Sequence, residues 1–196
     1  MPAREIQFVQ GAYYHLYNRG ANRMTIFRHA QNYEFVLRRM KEYVAEFNLS
    51  IIAYCLMPNH YHWLVRQDGE HDAGLLPQRV FNSYTKAFNN TYGHTGTLFE
   101  TRFKAKPIET DEYLRHLCRY IHANPVKDGI ALSPDLWVYS NYHEWIGARP
   151  GTLVDRGFIQ EFFPNIDQYK AFVADYLTGC NDMPKGLQTY LENLSL

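Results

Sequence analysis

The stretch IIAYCLMPNHYHWLVR, residues 51–66, decides how the rest of the chain is read. Two apolar runs flank Pro58-Asn59, a dipeptide that turns the chain, so the stretch predicts a β-hairpin. The return run places His60 and His62 two apart in an otherwise apolar strand. Side chains alternate across a strand, so both imidazoles share a face, roughly 7 Å apart along the chain. That spacing suits joint binding of one ion or one phosphate. It equally suits two histidines on a solvated face that bind nothing.

Working outward, AYYHLYNR (12–19) alternates weakly and predicts a first strand ending at Gly20, followed by the basic loop RGANRMTIFR. Tyr33, Val36, Leu37, Met40, Tyr43, Val44 and Phe47 then recur at three and four, which is helical spacing. A second helix carries Val80, Phe81, Tyr84 and Phe88 and ends near Gly93. TLFETRFKAKPI reads as a strand with Phe99, Thr101, Phe103 and Ala105 on one face and Glu100, Arg102, Lys104 and Lys106 on the other. Thr110 is placed to cap a third helix, with Asp111 and Glu112 in its first turn. Pro125 disfavours helical geometry in the residue before it, so this helix is expected to stop by Asn124. Beyond the Gly/Pro joint GARPG, an amphipathic helix carries Tyr169, Phe172, Val173, Tyr176 and Leu177. The pattern predicts an α+β fold: an antiparallel sheet with helices packed on one face. It divides into a core over residues 1–147 and a C-terminal helical extension, 148–196, packed on that core.

Composition narrows the function. The 196 residues are 46% hydrophobic and 20% charged, ordinary for a chain that buries a core. Cys55, Cys118 and Cys180 form no CxxC pair, which predicts reduced thiols rather than a disulfide framework. The opening MPAREIQFVQ lacks the apolar run of a signal peptide, and no apolar stretch is long enough to span a bilayer, so a cytoplasmic location is expected. Net charge is zero, which argues against a protein that coats polyanions uniformly. Its distribution is uneven, with eight Lys/Arg against four Asp/Glu in residues 1–66 and the reverse in residues 131–196. A basic front and an acidic tail fit a localised anion site.

On TDEYLRHLCRYIHANP, Leu114, Leu117, Cys118 and Ile121 mark a buried face, while Tyr120 and Asn124 lie four apart on one flank. If this helix covers the sheet, a phenol and a carboxamide can stand beside His60 and His62. A rim tyrosine and a helix-ending asparagine would give the same spacing.

MPNHYHWLV, followed some sixty residues later by EYLRHLCRYIHANPVKDG, resembles the REP-associated tyrosine transposases, within the His–hydrophobe–His single-strand DNA transposases. YHLYNRG, GTLFETRFKA and WVYSNYHEWIG extend the resemblance over roughly residues 12–147. It implies a ferredoxin-like core acting as the catalytic domain, with His60 and His62 as metal ligands, Tyr120 as the nucleophile and Asn124 as the third ligand. Tyr61 fills the hydrophobe position. It implies a divalent ion, Mg²⁺ or Mn²⁺ (zinc competing by softness), and cleavage and rejoining of single-stranded DNA through a 5′-phosphotyrosine. The implied partners are REP-like hairpins with a single-stranded guide beside them, bound by a monomer or homodimer in the cytoplasm at the nucleoid. A domesticated protein that binds hairpins without turnover, and a hydrolase whose histidines activate water, are the rival readings. Arg19, Arg23, Arg102, Lys104 and Lys106 are the phosphate-contact candidates. His15, on the first strand, is placed either to approach the site or simply to pack.

Overall fold

A computed structural model describes residues 6–179, 183 and 185–194. Four strands, β1 (Tyr13–Arg19), β2 (Leu49–Met57), β3 (His60–Gln67) and β4 (Lys104–Ile108), form one sheet in the order β2-β3-β1-β4. Every pairing is antiparallel. The helices α1 (Ala30–Glu46) and α2 (Leu75–Tyr92) make the crossovers, giving the βαββαβ order of a ferredoxin-like α+β fold. The helix α3 (Asp111–Lys127) follows β4. After it come α4 (Tyr142–Trp145), α5 (Arg156–Phe162), α6 (Ile166–Leu177) and α7 (Lys185–Asn193).

Alternation along the strands sorts the core into two layers. Tyr14, Leu16, Tyr54, Leu56, Tyr61, Trp63 and Val65 pack with α1 and α2. Tyr17, Ala53, Cys55, Met57 and Leu64 point the other way and pack with α3 and the C-terminal helices. Helices on one face therefore describe α1 and α2 only; α3 closes the second face, and Tyr169 and Val173 of α6 and Leu187 and Leu191 of α7 share its core. A helix lying between a sheet and further helices has no free side, and accordingly every residue of α3 from His116 to Pro125 is buried.

Two local expectations are revised. Helix α3 runs past Asn124 to Lys127, with Pro125 inside it. The missing proline N–H removes only one ladder bond near the helix end. Its carbonyl then accepts from Ile130 and Ala131 N–H, closing the turn. The expected long strand TLFETRFKAKPI contributes only Lys104–Ile108 to the sheet, while residues 99–103 wrap its edge through a single bridge from Phe99 to Gly20.

The other free edge, β2, is covered by the WVYSNYHEW segment. Leu56 N–H donates to Tyr139 O (2.9 Å), and Asn141 plugs the irregularity between Ile51 and Ala53. Its Oδ1 accepts from Tyr54 N–H (2.8 Å), and its Nδ2 donates to the carbonyls of Ile52 (2.9 Å) and Leu153 (3.2 Å). Cys55 and Cys118 are free and buried; Cys180 lies outside the described residues. Among the described residues, no helix is long and apolar enough to cross a membrane.

Candidate active site

The hairpin turn fixes the first histidine. Gly20 N–H donates to Asn59 O (2.7 Å), and Ile26 and Phe27 N–H donate to Pro58 O (2.7 and 3.0 Å). The loop after β1 thus clamps the Pro58-Asn59 turn. A Cβ on Gly20 would stand 2.3 Å from Met24 O, so glycine is required there for close approach. The clamped Asn59 presents Oδ1 to His60 Nδ1 at 2.7 Å.

That contact sets the chemistry of the other ring nitrogen. Burial, the largest effect on it, lowers the His60 pKa to about 4, so the ring is neutral. With its proton on Nδ1, facing Asn59, Nε2 carries a lone pair. This lone pair faces Asn124 Oδ1 at 3.3 Å and a carboxylate oxygen of Asp128 at 3.8 Å. Three acceptors converging on one space leave an arrangement that a cation satisfies.

His62, one rung along the same face, repeats the logic. Its Nδ1 lies 3.0 Å from His15 Nε2, and His15 Nδ1 lies 2.7 Å from the Tyr190 hydroxyl on α7. His62 Nε2 is buried and has no hydrogen-bond partner among the described residues. Burial holds the His62 and His15 rings neutral, His15 with a pKa of about 3. A proton on His62 Nδ1 given to His15, and one on His15 Nδ1 given to Tyr190, leaves His62 Nε2 open as a ligand atom.

From the opposite side, α3 presents Tyr120 and Asn124 one turn apart. Both are buried, at 6% and 4% exposure. The Tyr120 ring meets His62 edge-on with centroids 5.4 Å apart. Burial pushes the Tyr120 pKa above the usual phenol range, while a hydrogen bond from Asn124 pulls the other way. The resting phenol is protonated. An amide nitrogen given to the phenol oxygen favours the anion once the proton has a destination.

The residues fit a divalent ion: two neutral imidazoles with open Nε2 atoms, an amide oxygen, and a carboxylate beside them. Among the described residues, no three His, Cys, Asp or Glu side chains form a ready cage. Such an ion would therefore complete its shell with water or substrate oxygens.

The basic candidates separate. Arg19 stands opposite His60 in the sheet and is held by Glu100 (2.9 Å). Arg23 is exposed in the loop that follows. Lys104 is exposed on the site face, its Nζ 5.9 Å from the Tyr17 ring. Lys106 is covered, with Nζ 3.5 Å from the Tyr190 ring centroid. Arg102 does not share a strand face with Lys104 and Lys106; it precedes β4 and lines a cavity on the α2 side. Of the helix histidines, His122 is a packing residue, bonded to Tyr169 and Asn141, and His116 lies against Phe172.

The sequence profile of IS200-like transposases matches residues 8–124, more than half of the chain, from before β1 to Asn124 at the site. The chain belongs to this family. Among solved structures, this IS200-like transposase is similar to a REP-associated tyrosine transposase bound to a REP hairpin. The two share 20% identity with a TM-score of 0.60, over 79% of this chain and 94% of that one, a likeness of fold. A protein described as a transposase from Deinococcus radiodurans aligns over 61% of this chain and 95% of its own, at 13% identity and a TM-score of 0.42. No curated protein matches the sequence.

Asn59 and Asp128 are site neighbours that the sequence reading missed, while His15, which it left between site and packing, reaches His62. Asp128 carried a signal: it follows Tyr120 and Asn124 at the same four-residue step.

Proposed function

We propose that this IS200-like transposase cleaves and rejoins single-stranded DNA beside a hairpin, through a covalent 5′-phosphotyrosine on Tyr120. The observation that carries the reading is the convergence of Tyr120 and Asn124 on α3 with the open Nε2 atoms of His60 and His62 on β3.

His60, His62 and Asn124 would hold the divalent ion, with Asp128 beside it. When bound, the ion supplies charge neutralisation at the scissile phosphate and polarises its P–O bonds. Tyr120 Oη attacks phosphorus, the P–O3′ bond breaks, and the proton of the phenol ends on the departing 3′ oxygen. At a pKa near 10 only about one phenol in a thousand is ionised at neutral pH, and burial makes it fewer. Asn124 offsets part of that cost by donating to the phenol oxygen. Rejoining reverses the step, the 3′-hydroxyl attacking the phosphotyrosine, so no nucleotide energy source is needed. Arg19, opposite His60, is the best placed cation to take a phosphate, exchanging Glu100 for it.

The fold neighbour's REP hairpin supports a DNA hairpin as the partner. A stacked duplex hides the phosphate from in-line attack, which favours an unpaired segment. The burial of Tyr120 favours one rival, a hairpin-binding protein without turnover.

One gel separates the two. Incubating a labelled flanked hairpin with protein and Mn²⁺ should yield a denaturation-resistant adduct. Tyr120→Phe should abolish it while leaving the melting temperature within a few degrees, since only a hydroxyl is removed. An adduct that persists in the variant would move the nucleophile elsewhere, and none in the wild type would leave binding alone.

A further inference from the structure

Behind the histidine strand, on the α2 face of the sheet, lies a cavity of about 590 Å³, within the usual range for ligand pockets. Its lining includes Tyr61, the residue between His60 and His62, and Asn18, the neighbour of Arg19. Cavity and active site are therefore back to back, one sheet apart. They lie towards the edge strand β4, whose wrapping segment 99–103 forms the cavity's outer side.

We infer that this cavity binds unpaired bases of the DNA strand whose phosphate lies at Tyr120. The inference rests on the function proposed above and adds a second binding site to it. Three features carry it. The walls include the half-buried rings Phe99 and Phe103, on which a base can stack; Phe99 is held edge to face at 4.9 Å by Phe81, itself buried against Tyr61 and Trp63. Across from them α2 offers Gln78, Asn82 and Thr85 at i, i+4 and i+7, one stripe of neutral donors and acceptors. Gln78 and Asn82 are exposed, and among the described residues neither amide is engaged by the protein. Amides reading base edges beside aromatic planes is how unpaired nucleic acid is recognised.

The charges set the direction of entry. Arg102 on the cavity wall and Lys104 on the site face are both exposed and lie two residues apart around the same edge, a path for a phosphate backbone from front to back. Asp72, also lining the cavity, repels a phosphate but accepts from an exocyclic amino group. A base fits this lining; a free phosphate, facing one guanidinium and one carboxylate, does not.

The test compares two fluorescent DNAs, a hairpin with a short unpaired flank and the same hairpin blunt-ended, titrated with the full chain. Gln78→Ala together with Asn82→Ala changes exposed helix positions to the best helix former, so folding should survive. The affinity ratio, flanked over blunt, should fall about tenfold in the double variant, the scale of one stacked and read base. Flanks carrying 5-iodouracil should photocrosslink to peptides containing Phe99 or Phe103. A ratio unchanged by the double variant, a wild-type ratio of one, or crosslinks confined to the α3 face would each overturn the inference. Failure of the proposed chemistry looks different. The flank would then bind and crosslink here while no Tyr120 adduct forms.

Discussion

Two kinds of buried histidine stand within this molecule, and their difference separates packing from chemistry. His122 on α3 has both ring nitrogens engaged by the protein: Nε2 donates to Asn141 Oδ1 (2.9 Å), and Nδ1 accepts from the Tyr169 hydroxyl. His60 and His62 on β3 are equally buried and equally neutral, with burial lowering both His60 and His122 to about 4. His62, however, has only Nδ1 engaged, by His15, and its Nε2 meets no hydrogen-bond partner among the described residues. His60 lies between two amide oxygens, Asn59 Oδ1 at 2.7 Å and Asn124 Oδ1 at the longer 3.3 Å, so a neutral ring with one proton leaves a lone pair facing an acceptor. A buried polar atom without a partner costs free energy in the isolated protein. Such a cost persists where a ligand removes it.

The sharpest way to break this comparison is to truncate each kind. On the proposed function, His60→Ala or His62→Ala should lower adduct formation at least about a hundredfold and abolish high-affinity Mn²⁺ binding measured calorimetrically, because each would remove a ligand atom directly. Asn124→Ala should cost less activity, about tenfold, because water replaces an amide oxygen as a ligand. Full cleavage in EDTA, or wild-type metal affinity in either histidine variant, would remove the distinction on the chemical side.

The packing side should respond in the opposite sense. His122→Ala or Asn141→Ala orphans buried groups that now pair with these two side chains: Tyr54 N–H and the Leu153 carbonyl with Asn141, the Tyr169 hydroxyl with His122. Each variant should lose about 3 kcal/mol in urea unfolding, a few orphaned polar groups' worth. The folded fraction should still form the DNA adduct. Unaltered stability would mean that the Asn141 knot at the β2 irregularity is incidental.

Much of this was legible in the sequence, and the failures have a common cause. The hairpin around Pro58-Asn59, the Thr110 cap that accepts from Tyr113 N–H, and the Gly93 stop of α2 follow from local chemistry and are found as read. The histidine pair and the Tyr120–Asn124 step follow from period two and period 3.6, and the sheet brings them together. What was hidden depends on register and on neighbours far along the chain. His15 reaches His62 because β1 pairs with β3 so that His15 stands opposite Leu64, a register that no alternation pattern specifies. Ending α3 at Asn124 on the strength of Pro125 discarded Asp128, which the extra turn returns to the Tyr120 flank. Arg102 was given to the wrong face because alternation was carried into residues that belong to no strand.

The last expected effect concerns protons. His15, His60 and His122 have folded pKa values of about 3, 4 and 4, each lowered chiefly by burial, against an ordinary 6.5 in the unfolded chain. The unfolded state therefore binds more protons below pH 6.5. The stability these rings allow is fully present above that value and is lost as pH falls towards the folded pKa values. Each ring should contribute about 1.4 kcal/mol of loss per pH unit in that window. The two kinds of histidine behave alike here, because desolvation does not depend on what the second nitrogen touches. Urea midpoints measured between pH 7.5 and 5 should fall with this slope, and His122→Gln, where it folds, should lower the slope by one proton. A flat profile would mean that the folded rings take up protons as readily as the unfolded chain does. Below pH 6.5 the Nε2 atoms on which the metal assignment depends would then carry hydrogens, and burial would not be what keeps them open.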